Sequence, residues 1–196
     1  MTSIIDLSRR GFIVGTGATG LTIGILSACA PGKKDGGADT PQAELPEVNA
    51  WVHIGTDDVV TTRIARSEMG QGTLTGLAQM VAEELECDWD KVTTEYPTPG
   101  QNLARDRVWG DFLTGGSRGI RTSQDYVSEG GAVARTMLVQ AAANRWGVPA
   151  AECTAAKSVI THTPTGKTLR FGEVAEDAAA LPVPTDIPLK DPSEWK

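Results

Sequence analysis

Met69-Gly70-Gln71-Gly72-Thr73-Leu74-Thr75 and Thr114-Gly115-Gly116-Ser117-Arg118-Gly119 are glycine-rich loops, and each opens directly onto a segment with helical periodicity. A helix N-terminus presents unpaired N–H groups and a partial positive charge, and glycines let a ligand approach the backbone closely. One such loop is weak as a signal. Two, each with polar side chains, point to a large polar cofactor held from two sides. The first loop contributes Gly70, Gln71, Gly72 and Thr75 to the candidate cofactor site, and the second contributes Gly115, Gly116, Ser117 and Arg118.

Working outward, Leu74, Leu77, Ala78, Val81 and Leu85 recur at intervals of three and four, which predicts a helix over 73–86. Tyr126, Val127, Gly130, Val133, Ala134, Met137, Leu138 and Ala141 make a longer stripe. Thr122 or Ser123 is its N-cap candidate and Gly147-Val148-Pro149 its stop. Trp51-Val52-His53-Ile54 and Val59 to Ile64 alternate around Gly55-Thr56-Asp57-Asp58, a predicted hairpin that feeds the first loop. Val92 to Tyr96 reads as a further strand, 157–162 and 168–171 as a second hairpin around Pro164-Thr165-Gly166-Lys167, and 171–181 as a short helix. The fold class this predicts is α+β, a mixed sheet with hairpins and two main helices packed on it.

Gly70-Gln71-Gly72-Thr73-Leu74-Thr75, with Gln79 one turn on, resembles the Gly-Gln-Gly-x-x-Thr-x-x-x-Gln element of molybdopterin-binding subunits in the xanthine dehydrogenase and aldehyde oxidase family. Within that family the chain is most similar to isoquinoline 1-oxidoreductase beta subunits and aldehyde-oxidising relatives. Ser67-Glu68-Met69-Gly70-Gln71-Gly72, Thr114 to Arg118 and Ala143-Asn144-Arg145-Trp146-Gly147-Val148-Pro149 carry that likeness, which spans residues 50–196. The resemblance implies part of a larger molybdopterin-binding architecture, with the cofactor as its cytosine dinucleotide. It implies a molybdenum hydroxylase that oxidises an aldehyde or an N-heterocycle with oxygen taken from water, a glutamate acting as general base. No position here matches that glutamate, so the resemblance assigns no catalytic residue. It also implies a small [2Fe-2S] iron–sulfur subunit as partner and a cytochrome c as a further electron acceptor. Subunits of the family are several times longer than this chain of 196 residues, so an N-terminal portion is expected.

Ser8-Arg9-Arg10-Gly11-Phe12-Ile13 places twin arginines before an apolar run diluted by Gly15, Gly17, Gly20 and Gly24. It is similar to a twin-arginine export signal, a route that carries folded, cofactor-loaded proteins to the periplasm. The run falls short of the roughly 20 apolar residues that span a bilayer. Leu26-Ser27-Ala28-Cys29 resembles a lipobox, which would make the protein a lipoprotein anchored through Cys29; ordinary cleavage near Ala28-Cys29-Ala30 and an uncleaved anchor are the competing readings. The expected organisation is therefore a signal over 1–30, a flexible tether over 31–48, a partial molybdopterin-binding domain over 49–181 and an extended linker over 182–196.

A net charge of −7 gives no global attraction for nucleic acid or anionic lipid, so membrane association would come only through the signal or a lipid anchor. Arg63, Arg66, Arg105, Arg107, Arg118 and Arg121 cluster around the two loops, where they either balance a cofactor phosphate or pair with Glu68, Asp106 and Asp111. Trp109 to Phe112 either lines a substrate or cofactor wall or belongs to the core. Cys87 and Cys153 read as two buried thiols, and neither His53 nor His162 has a spacing that predicts a protein metal site. The alternative function is an exported lipoprotein that binds or anchors a partner without catalysis.

Overall fold

A computed structural model describes residues 47–196. The export signal with Arg9 and Arg10, Cys29 and nearly all of the tether lie outside the described residues. Among the described residues, no helix is long and apolar enough to cross a membrane.

The predicted first hairpin forms, β2 (Val52–Ile54) pairing antiparallel with β3 (Val60–Arg63), Val52 opposite Thr62 and Ile54 opposite Val60, but both strands are buried throughout, so the alternation does not separate a solvent face. Chain reversal at Asp58 uses a left-handed φ of 67°, and its fully buried carboxylate accepts hydrogen bonds from Gly172 N at 2.9 Å, Arg170 Nη1 at 2.8 Å and Lys91 Nζ at 3.1 Å. Burial raises the affinity of this carboxyl for its proton, but the Gly172 amide and the two cations outweigh it and hold Asp58 below the usual carboxylate range. The turn is thereby pinned to the far end of the domain.

From β3 the chain passes through the first glycine loop into α1 (Thr73–Leu85) and returns as β4 (Val92–Glu95), parallel to β3 with Arg63 opposite Glu95. This is a β–α–β crossover. The first loop accordingly lies at the carboxyl end of a parallel strand, where open α/β arrangements place their ligands. β1 (Glu47–Asn49) completes a sheet in the order β1-β2-β3-β4. It corrects the tether boundary: Glu47 and Val48 are in a strand, and Val48 is buried because its alkyl side chain joins the core. Asn49 secures the edge by donating from Nδ2 to Gly130 O at 2.9 Å.

Two short helices follow, α2 (Pro99–Ala104) and α3 (Arg118–Arg121), then the long α4 (Gln124–Trp146). α4 stops at Gly147, whose φ of 68° permits the terminal left-handed turn. Its glycines serve helix packing as well as sheet packing. A Cβ on Gly131 would stand 2.6 Å from Val81 O of α1, and one on Gly130 would stand 3.0 Å from the Trp51 side chain. The backbones of α1 and α4 therefore meet at a distance only glycine allows.

β5 (Cys153–Ala156), β6 (Val159–His162) and β7 (Lys167–Arg170) form a separate antiparallel meander that leads into α5 (Phe171–Ala179). The core draws Val52, Ile54 and Val60 from the first sheet, Leu77, Val81 and Leu85 from α1, Met137, Leu138 and Ala141 from α4, and Phe171 and Val174 from α5. Each large member is worth about 1.5–3 kcal/mol of burial. The architecture is α+β, as the periodicity predicts. Cys87 and Cys153 are free thiols, and burial pushes the Cys87 thiol up to about 12.

Residues 182–196 differ from the expected linker. Their prolines keep them extended, with one 3-10 turn over Pro192–Glu194, yet they lie back along α1. The almost buried Lys190 donates from Nζ to Glu83 Oε1 at 2.8 Å and Glu83 O at 2.6 Å, and its amide donates to Glu84 Oε1 at 3.1 Å. Extended backbone is compatible with docking whenever a side chain finds buried partners, and proline content alone does not report that.

Candidate functional site

Both glycine loops end on short-range contacts with the first turn of α1. Ser67 N donates to Thr114 Oγ1 at 2.9 Å, joining the start of one loop to the start of the other. α3, which carries the second loop, is held against α1 so closely that a Cβ on Gly119 would stand 2.8 Å from Thr73 Oγ1. The Ile120 side chain stands 3.1 Å from where a Cβ on Gly76 would be. The sequence-predicted residues Gly70, Gln71, Gly72 and Thr75 thus share a neighbourhood with Gly115, Gly116, Ser117 and Arg118.

Conformation explains the glycines. Gly70 at φ 90°, Gly72 at φ 76° and Gly116 at φ 58° all need the left-handed region, whereas Gly115 does not. A Cβ added at Gly70, Gly72, Gly115 or Gly116 would meet no heavy atom within 4 Å, so the face these residues present is open. Ser117, at φ 57° without being glycine, is strained beside them. Non-glycine residues held in that region concentrate at ligand sites.

The first loop binds its own acid. Glu68 accepts at Oε1 from Gly70 N at 2.7 Å and Gly72 N at 2.9 Å, and at Oε2 from Leu74 N at 3.0 Å. The amides of Leu74 and Gly72, in that order of effect, hold the Glu68 carboxyl below its usual range. Glu68 therefore pairs with backbone at the N-terminus of α1, and the arginine pairing expected for it is replaced by these bonds. Gln71 is braced as well: Oε1 accepts from Met69 N at 2.6 Å and Nε2 donates to Ser67 O at 2.8 Å. One N–H of that amide and one lone pair of its oxygen are left for a ligand.

The second loop is held from below. Arg66, 4% exposed, donates from Nη1 to Asp111 O at 2.8 Å, Leu113 O at 2.9 Å and Asp111 Oδ1 at 3.1 Å, and from Nε to Ser123 Oγ at 3.0 Å. That guanidinium is the main reason the Asp111 carboxyl sits below its usual range. Arg63 bonds Glu95 at 2.7 Å and lies 5.5 Å from the Trp109 ring centroid, so both buried arginines are framework. Arg118 is different. It stands 3.6 Å from Asp111 Oδ2 and remains partly exposed, leaving most of its donors for an anion at Gly115 to Ser117. Trp109 resolves to core, 2% exposed and donating from Nε1 to Ala50 O at 3.1 Å.

Around the open face stand Met69, Leu113 and Ile120, each exposed. The Arg118 donors, the unused N–H and lone pair of Gln71 and apolar edges suit a large polar heterocycle with an anionic tail. A cavity of about 1000 Å³ lies elsewhere, along the flank of α1 among Gln79, Glu83, Glu86, Asp88 and Trp195. Its carboxylates would repel an anionic cofactor, so the two loops, not this cavity, are the candidate site. Among the described residues, no group of three or more His, Cys, Asp or Glu side chains is placed to hold a metal ion.

These features define an α+β domain with an open, glycine-lined face at a strand–helix junction. The chain belongs to the molybdopterin cofactor-binding domain family, whose match covers residues 13–196. It is 35% identical over 192 residues to the beta subunit of isoquinoline 1-oxidoreductase from Brevundimonas diminuta, covering 94% of this chain and 23% of that protein. It is 33% identical to the membrane-bound aldehyde dehydrogenase [pyrroloquinoline-quinone] of Gluconacetobacter polyoxogenes, covering 86% of this chain and 21% of that one. With a nicotinate dehydrogenase subunit of Pseudomonas putida it shares 27% identity over 80% of this chain and 13% of that protein. Among solved structures it is similar to the Cu,Mo-CO dehydrogenase in its carbon monoxide reduced state, with a TM-score of 0.48 and 22% identity over 64% of this chain and 15% of that chain. The chain spans less than a quarter of the length of these curated relatives.

Proposed function

We propose that this domain seats molybdopterin, as its cytosine dinucleotide, in a molybdenum hydroxylase that oxidises an aldehyde or an N-heterocycle. The observation that carries the reading is the convergence of two loops whose left-handed glycines face open space, joined through Ser67 and Thr114. The names of the relatives, an isoquinoline oxidoreductase and an aldehyde dehydrogenase, support that choice of substrate class. When bound, the molybdenum cofactor supplies two-electron oxidation with oxygen drawn from water. This chain's own residues bind and orient. Gln71 offers its remaining N–H and lone pair to the polar edge of the ring system, Thr75 lies in the first turn of α1, and Gly115, Gly116 and Ser117 admit the anionic part to within reach of Arg118. A metal carried on an organic ligand needs none of the described side chains as its own.

Electrons would leave through a [2Fe-2S] partner subunit, and onward to a cytochrome c; that two of the relatives are named as subunits supports a partner. Export by the twin-arginine signal at Arg9 and Arg10, to the periplasm, fits a protein loaded with cofactor before transport; a lipid at Cys29 would anchor it there. The test is composition. Full-length protein purified with its partner should contain molybdenum and release cytidine monophosphate on acid hydrolysis. Folded, partner-bound protein free of molybdenum would replace this reading with a non-catalytic binding or anchoring module.

A further inference from the structure

The two loops differ in what their backbone amides are doing. In the first, Gly70, Gly72 and Leu74 direct their N–H groups onto one carboxylate, that of Glu68, at 2.7, 2.9 and 3.0 Å. Gln71 lies between the two glycines so engaged, and its side chain is fastened to Ser67 O and Met69 N. The Glu68 amide is itself tied down, donating to the Tyr96 hydroxyl at 3.0 Å, which links the acid to the end of the strand β4. A carboxylate holding a helix N-terminus satisfies the same dipole and the same orphan donors that a phosphate would. A second anion cannot use them while Glu68 remains.

We propose that Glu68 is the positioning residue of the cofactor site: by occupying the amides of Gly70, Gly72 and Leu74 it fixes Gln71 toward the cofactor ring system and leaves the cofactor's phosphate to the second loop. This rests on the molybdopterin reading. Glu68 touches no cofactor atom. Its effect passes through the loop, whose two left-handed glycines both donate to its carboxylate.

The experiment uses the full-length protein with its partner subunit, as wild type, Glu68→Gln and Glu68→Ala. Molybdenum per subunit is measured in each. Hydrogen exchange of peptides covering 67–75 and 111–119 is followed in cofactor-depleted protein, with and without inorganic phosphate. Glu68→Gln, which keeps shape but can accept at only one atom, should speed exchange over 67–75 about tenfold and lower molybdenum occupancy several-fold, with 111–119 unchanged. Glu68→Ala should do more, and should gain phosphate-dependent protection over 67–75 that the wild type lacks, because the vacated amides become an anion site. Wild-type occupancy in both variants would overturn the proposal, even with faster exchange, since Glu68 would then be a helix cap alone. Phosphate protection over 67–75 in the wild type would overturn it equally. A wild type without molybdenum that still shows the predicted exchange pattern would instead sink the molybdopterin reading, and with it the role of Glu68 toward that cofactor, while leaving the loop restraint standing.

Discussion

The two glycine loops look alike in sequence and are built in opposite ways. The first closes on itself, with its amides on Glu68 and its glutamine amide on its own backbone. The second is fastened from outside by Arg66, which reaches across from the end of β3 to the carbonyls of Asp111 and Leu113. A self-braced loop keeps its shape wherever the chain is placed, whereas an externally fastened one reports the integrity of the core beneath it. Glycine content shows that both loops need left-handed backbone; only the partners of the amides show that the first is already taken by a carboxylate.

The comparison breaks most readily at Arg66. Arg66→Ala removes a buried guanidinium and leaves the Asp111 and Leu113 carbonyls without their donor, while Ser123 keeps the Tyr126 hydroxyl, a loss of about 3 kcal/mol. Urea unfolding should register it, and exchange over 111–117 should accelerate while 67–75 keeps its protection. Equal loosening of both loops would mean that they are one unit.

Next in size is Gly116→Val. Its φ of 58° puts a β-branched residue in a region it avoids, at a cost of about 1–3 kcal/mol, whereas Gly115→Ala, with ordinary φ and open space, should change stability by about 0.5 kcal/mol or less. Thermal unfolding of the pair separates backbone strain from lost space. Gln71→Ala is smaller, about 1 kcal/mol, because the two hydrogen bonds it removes are exposed.

The smallest effect is with pH. Glu68 and Asp111 both have carboxyls held below their ordinary range in the folded state, so each contributes stability that is present above the unfolded value, near 4, and is lost as pH falls through the lower folded value. Asp58 acts in the same direction from inside the core. The protection factors of both loops, taken relative to intrinsic amide exchange at each pH, should therefore be flat from neutral pH to about pH 5 and fall in more acid solution. Glu68→Gln should abolish the acid response over 67–75 and preserve it over 111–117.

Much of this was legible in the sequence, because the signals were long. The stripe from Leu74 to Leu85 and that from Val127 to Ala141 each repeat over several turns, and the hairpin around Asp58 joins two β-branched runs across a turn of Gly, Thr and Asp. The shorter elements were not. β5 reads Cys-Thr-Ala-Ala, with little intrinsic strand preference, and forms because it pairs with β6. α2 has a visible signature in Thr98 and Gln101, a capping box, but Pro99 and Gly100 make the same four residues read as a turn. At the site, the sequence placed the glycines and Gln71 but not the part played by Glu68, whose bonds run to amides up to six residues ahead. An acidic residue just before a helix start was the available signal. Arg118 stands out by its place in the second loop, whereas nothing in the sequence marks Arg66 as framework, since only its burial shows that.

Molybdenum occupancy of full-length, partner-bound protein, measured side by side in wild type, Gln71→Ala and Gly116→Val, tests the central claim most directly. Near-stoichiometric metal in the wild type is expected, with a several-fold loss in Gln71→Ala and a greater loss in Gly116→Val, while circular dichroism shows all three folded. Full molybdenum content and wild-type turnover in both variants would contradict it, because the two loops would then not be what holds the cofactor.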